Sequence, residues 1–458
     1  MYSKGTMMKK FCCLLSALVL VACPATAGQV IMTTSVFGES GNVAIYDSQD
    51  NTFVDNVLPL ADDNWAVTDG TYLYILERSG ADAVSKYLPS DISAGRDLYQ
   101  FSLGAGANPY DMVFYGSKAY ILLYGTGTIW VVKPDASDET SFKIGEIDVS
   151  GWADGDGSSE PNLGFVYNGM VYVALQRYDL TTNSENNCVI VMIDPQTDTI
   201  VGNYETSARN VTNIGVDGRT LYLAGTTYGK SDEGITVLNL DNLSGGGKKL
   251  VTEESLGGSL SGMYVLPGGI GIICSYDADY NSVPRYFDLI TGIIGARLPV
   301  PDAGYGRDIV MMDGLLYIGS RNYTNPGLYI VDPDTNSLVK EMQPTELQPN
   351  SIVVIDGTDI PVDVERDNET PELFAIDVPF PNPFNPVTSL NFSLPLPVRV
   401  TVEVFGVTGQ KIATLRSAYM DAGTHTITWN AGGLPAGLYF IRVTAGSVSR
   451  TVRAMLVK

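Results

Sequence analysis

Apolar and polar positions alternate in short runs along nearly the whole chain, as in "TYLYILE", "KAYILLY" and "RTLYLAG", and each run stops at a turn-forming residue. A period of two puts successive side chains on opposite faces of an extended backbone, so the pattern predicts β-strands. No long stretch repeats its apolar residues with the helical period.

One unit recurs seven times, an apolar strand ending in a tight glycine turn: "NWAVTDG", "DMVFYGS", "LGFVYNG", "NIGVDG", "GMYVLPGG", "DIVMMDG" and "SIVVIDG". The turn glycines, Gly70, Gly116, Gly169, Gly218, Gly268, Gly314 and Gly357, are 46, 53, 49, 50, 46 and 43 residues apart. After each of the first six turns comes a second apolar strand, usually followed by two more across a polar turn, as in "CVIVMIDPQTDTIVGNYE". Four strands in a unit of that length make a β-propeller blade. The seventh turn lacks its following strands, and "QVIMTTSV", "GNVAIYDSQ" and "TFVDNVLPL", between Gln29 and Leu60, stand unmatched at the other end. The two remainders add up to one blade. The pattern therefore predicts a seven-bladed ring over residues 28–357, closed by pairing the first strands with the last inner strand, since an open stack would leave exposed sheet edges.

Beyond the ring, residues 358–377 are polar and acidic and read as a linker. The stretch "PFPNPFNP" from Pro379 to Pro386 follows; proline fixes φ and lacks an N–H, so a stiff, extended connector is expected. The alternating runs "TSLNFSLP", "RVTVEVFG", "QKIATLRS", "THTITWNAG", "GLYFIRVTAG" and "VSRTVRAMLVK" then predict a small immunoglobulin-like β-sandwich, with 378–458 as its domain. The fold class is all-β throughout.

Two resemblances follow from these residues. The blade pieces "LYLAG…GITVLNLD" and "LYIGS…GLYIVDPDTNSLV" resemble the YVTN-type propeller repeats of bacterial surface proteins, a fold shared by binding surfaces and several enzymes. The pieces "PNPFNPVT", "VEVFGVTGQKIATL" and "LPAGLYFIRVTAG", with a last strand closing on Lys458, resemble the type A C-terminal sorting domain of type IX secretion cargo. Gly406 departs from that family, whose members more often carry an acidic or polar residue there. The resemblance implies export from the cytoplasm, passage through the outer membrane of a Gram-negative bacterium by the type IX machinery acting on 378–458, and release or attachment at the cell surface.

The N-terminus agrees with export. Lys4, Lys9 and Lys10 precede an apolar run from Phe11 to Ala22 that is too short to span a bilayer, so 1–27 reads as a signal peptide. Two processing readings stand: cleavage after Ala25-Thr26-Ala27, or a lipobox, Leu20 to Cys23, that would put lipid on Cys23. Of the remaining cysteines, Cys188 and Cys274 lie in apolar runs and are expected as buried free thiols.

The net charge is −23, and seven Lys/Arg against two Asp/Glu after Leu396 place the excess acid in the ring and linker. Such a body lacks a basic footprint for nucleic acid and is repelled by anionic membranes. The single histidine, His425, lies in the sandwich, which removes Ser-His-Asp and Cys-His catalysis and histidine-ligated metals from the ring. Paired carboxylates could still hydrolyse glycosides, but no spacing singles out a pair.

No cofactor is required by the sequence, and calcium is the metal it suits best. In "DADYNSVPRYFD", Asp277, Asp279 and Asn281 alternate as in an oxygen-ligand loop, although Ser282 stands where glycine is usual. "DGDGSSE", with Asp154, Asp156, Ser158 and Glu160, is a weaker echo without a twelfth-position acid; both loops read first as polar hairpins.

An aromatic ladder offers a binding face. Tyr178, Tyr228, Tyr276 and Tyr323 follow the second strands of four consecutive blades at equal spacing, and Tyr124 has a similar place. The same face of a propeller would carry Asn64, Asn108, Asn162, Asn210, Arg307 and Asn350. Tyrosine, asparagine and arginine around a mouth suit sugars or peptides, while packing between blades is the plainer use of the same rings. The expectation is a monomeric, exported surface protein that binds glycan or protein without catalysis. A polysaccharide hydrolase or lyase and a structural envelope lipoprotein are the alternatives.

Overall fold

The structure, a computed structural model, describes residues 28–227, 232–266, 269–276, 282–301, 309–356, 375–377, 379–394, 398–406, 410–420, 423–445 and 448–457. The signal segment with Cys23, most of the linker, and Tyr228, Asp277, Asp279, Asn281 and Arg307 lie outside them.

Seven four-stranded antiparallel sheets form the blades. Blade one runs Asn64–Thr68, Leu73–Glu77, Ala83–Tyr87 and Asp97–Ser102 from centre to rim. The inner strands of blades two to six are Pro109–Tyr115, Pro161–Tyr167, Val211–Asp217, Leu260–Leu266 and Ile309–Met312. Blade seven takes its inner strand, Gln348–Asp356, from the far end of the ring and its other three, Gly28–Val36, Ser40–Asp47 and Thr52–Leu60, from the start. Val30 pairs with Val354 and Met32 with Ile352, so the ring closes as the unmatched strands predict. Ser351 reinforces the closure: its Oγ lies 2.8 Å from Thr33 Oγ1 and accepts the Ala66 N–H of blade one at 2.7 Å.

The hairpin turns follow from their residues. Asn168 and Gly169, at φ 47° and 73°, and Asp313 and Gly314, at 52° and 79°, adopt the left-handed pairs that a two-residue turn between twisted strands requires. Between blades the contact is apolar and close. Tyr74 and Leu76 of blade one share a core with Ile121 and Leu123 of blade two, which shares another through Val113 and Leu122 with Val173 and Val191 of blade three. Each such side chain contributes about 1.5–3 kcal/mol by leaving water. Cations tie the turns: Lys86 Nζ donates to Pro134 O and Asp135 Oδ1, both at 3.0 Å, and Lys118 Nζ donates to Pro195 O at 2.7 Å and to both Asp198 oxygens.

The C-terminal sandwich packs a three-stranded sheet (Ala375–Ile376, Val387–Leu394, Gly423–Asn430) on a four-stranded one (Lys411–Met420, Val398–Gly406, Gly437–Ala445, Val448–Leu456). Leu390, Phe392, Val402, Trp429, Ile441 and Val443 lie buried between them. Two expectations change here. Ala375 and Ile376, within the stretch read as linker, pair with Ser393 and Phe392. The proline-rich stretch is not a free connector but part of the sandwich. Phe384 is buried against Trp429, with ring centres 5.1 Å apart, and its N–H and C=O bond Met455 O and Val457 N–H. Proline removes donors from this edge, while the N–H groups of its other residues are free to pair.

Candidate functional site

In an antiparallel blade the inner strand begins, and the second strand ends, on the same side of the ring. The loops before inner strands and after second strands therefore share one face, and among the described residues Asn64, Asn108, Asn162, Asn210 and Asn350 stand at or near inner-strand starts and Tyr124, Tyr178, Tyr276 and Tyr323 at or near second-strand ends.

Most of the asparagines bond to backbone or to neighbouring side chains. Asn64 is buried and its Nδ2 donates to Ala61 O at 2.7 Å and Thr34 O at 3.3 Å. Asn162, also buried, donates to Val211 O of blade four at 2.7 Å. Asn210 Oδ1 accepts from Gln176 Nε2, and Asn350 Nδ2 donates to Asn64 O across the closing seam. Asn108 is held through its backbone: its N–H bonds Asp82 Oδ1 at 2.7 Å, and its Oδ1 is buried without a partner, as are those of Asn64 and Asn162.

The tyrosines are also unequal. Tyr323 is 90% exposed, and Tyr276 is half-buried at the end of its strand. Tyr178 opens a short hairpin, Tyr178–Asp179 with Ser184–Glu185, inserted between the second and third strands of blade three; its N–H donates to Glu160 Oε2 at 3.0 Å. Tyr124 stacks on Tyr110 with ring centres 5.0 Å apart, and the Arg78 guanidinium lies 4.2 Å from the centre of the Tyr110 ring. Asp63 holds Arg78 in place through Nε at 2.9 Å. Arg78 and Tyr110 carry no spacing signal of their own and were not foreseen.

Between blades two and three this row meets a hollow of about 340 Å³, lined by Asn108, Tyr124 and Gly125 on one side and by Asp156, Ser158, Glu160 and Leu180 on the other. Gly125 is needed there, since a Cβ would meet Gly106 O at 2.1 Å. Leu180 is 65% exposed at the rim. Glu160 is 1% exposed, and its carboxyl is pushed up to about 7 by burial first and then by the charges of Asp156 and Asp154. Burial also raises Asp154, against a hydrogen bond from Asn186 Nδ2 at 2.9 Å. Hydrogen bonds from Thr182 and Thr181 lower Asp179.

Residues 379–458 match the secretion system C-terminal sorting domain family. The C-terminal sandwich is a type IX sorting domain. The chain is therefore secreted or attached at the outer surface of a Gram-negative bacterium, and the sandwich is its contact with the secretion machinery. No curated protein matches the chain. Among solved structures, a candidate 6-phosphogluconolactonase of Bacteroides fragilis aligns with a TM-score of 0.51 at 13% identity, covering 72% of this chain and 98% of that one. Hydrazine synthase of Kuenenia stuttgartiensis aligns at 0.49 and 17%, covering 63% of this chain and 93% of its own. At such identities the first likeness shows the propeller fold alone.

Proposed function

We propose that the exported ring is a non-catalytic binding module and that a glycan docks in the hollow between blades two and three. One observation carries this reading: an aromatic residue, Tyr124, lines the hollow together with the polar residues Asn108, Asp156 and Ser158 and an exposed Leu180. Sugar rings offer C–H faces that stack on tyrosine and hydroxyls that donate to amide and carboxylate oxygens.

The raised Glu160 carboxyl beside Asp156 is the feature that favours a hydrolase. Glycoside hydrolysis requires both carboxyl groups to reach the scissile bond, and Glu160 is only 1% exposed. Binding is the better reading.

The test is a glycan and peptide array probed with the full chain, alongside an assay for reducing-sugar release. Glycan binding that Tyr124→Ala abolishes and Tyr323→Ala preserves supports the proposal. Peptide hits alone would transfer the site to protein recognition, sugar release would make it an enzyme, and silence in every assay would sink the reading.

A further inference from the structure

We propose that the Asp154–Glu160 loop and the hairpin beginning at Tyr178 together hold a calcium ion, with Asp154, Asp156 and Asp179 as carboxylate ligands and Glu160 beside them. The inference goes beyond glycan docking and does not depend on it, because it is read by metal binding alone.

Asp154, Asp156 and Asp179 each place a carboxylate oxygen within 4.8 Å of the other two. Three negative charges that close repel one another; the N–H groups of Ser158 and Leu180 on Asp156, of Thr181 and Thr182 on Asp179, and Asn186 Nδ2 on Asp154 offset part of this, and a cation among the three would offset the rest. A backbone feature permits the approach: a Cβ on Gly155 would meet Asp179 Oδ2 at 2.4 Å, so the carboxylate rests where any other residue would put its side chain.

The second, independent observation is Glu160. It lines the hollow together with Asp156, is 1% exposed, and leaves Oε1 buried with no hydrogen-bond partner. A buried carboxylate oxygen without a donor is costly in a folded protein and is relieved by a cation or a bound water. The donor set contains oxygen only, which suits a hard cation and not zinc. A loop and a hairpin that supply carboxylates from separate segments fit calcium, which takes six to eight oxygens in varied geometry, whereas magnesium demands near-ideal octahedral geometry and keeps its waters. An exported chain also meets the calcium concentrations at which extracellular modules bind, about 0.1–1 mM.

The experiment titrates the purified full chain with terbium, following luminescence sensitised by its aromatic residues, and with calcium by calorimetry. Calcium is expected to displace terbium, and magnesium at the same concentration is not. Asp154→Asn and Asp179→Asn should each weaken calcium binding by more than about tenfold. Gly155→Ala should do the same without removing a charge, and Asp50→Asn, at an exposed turn of blade seven, should leave binding unchanged. Circular dichroism of the variants in chelator checks that they are folded. Absence of calcium binding up to millimolar concentration, or binding unaltered in folded Asp154→Asn and Gly155→Ala, overturns the proposal. Calcium binding without glycan binding would leave it standing and remove only the docking site.

Discussion

Single residues decide how tightly the ring is held and which groups react. Ser351 is one, since its Oγ takes the buried Ala66 N–H and meets Thr33 Oγ1. Ser351→Ala should lower stability by about 1–3 kcal/mol, seen as a reduced Tm, because it strands a buried donor as well as losing a bond. Cys188 and Cys274 are buried thiols outside any disulfide, as their apolar runs predict, and burial pushes the Cys188 thiol up to about 12. As the thiolate is the reactive form, neither thiol should react with a disulfide reagent in the native state, and both should react once denatured. Asp217 is held above the usual carboxylate range by burial. A folded state that binds the proton more tightly gains stability below the unfolded value, near pH 4, and loses it as pH rises through the folded one. Asp217→Asn should therefore melt higher than the parent at pH 7, and the difference should shrink on acidification. The asparagine row shows what residue spacing cannot resolve. A residue repeated in five of the seven blades arises equally from repeated ligand contacts and from repeated ties such as Asn162 to Val211.

At the scale of elements, neighbouring blades meet through small residues on the inner strands. A Cβ on Gly215 would meet Val265 Cγ2 of the next blade at 2.1 Å, and one on Gly164 would meet Val113 Cγ2 at 2.4 Å. Gly215→Val should cost about 1–3 kcal/mol through overpacking, and Val265→Ala in the same chain should recover part of the lost Tm. Strand identity, turn positions and blade count were legible because they rest on local rules, period two and turn glycines. The hollow was not legible in that way, because its walls come from separate blades. The "DGDGSSE" loop stood out in the sequence, but Asp179 reaches it only through the inserted hairpin, and Arg78 and Tyr110 join Tyr124 only through the ring. The proline-rich stretch misled for a related reason: its missing donors are local, while the Phe384 pocket under Trp429 is made by strands distant in sequence.

For the whole molecule, the chain divides into a ring that presents a face and a sandwich that addresses it to the outside. Ring closure was predictable because the unmatched strands at the two ends complete one sheet, Gln348–Asp356 with Gly28–Val36. A chain ending before residue 379 should fold its ring and remain inside the cell envelope, whereas the full chain reaches the medium or the outer surface; cell fractionation separates the two outcomes. The most direct test of the central claim, that the ring binds through the hollow between blades two and three, is hydrogen exchange of the full chain with and without its best array glycan. The account predicts slowed exchange at the backbone around Asn108, Tyr124 to Gly125, Asp154 to Glu160 and Tyr178 to Leu180. Protection confined to the turns on the opposite face of the ring, or to the sandwich, would contradict it.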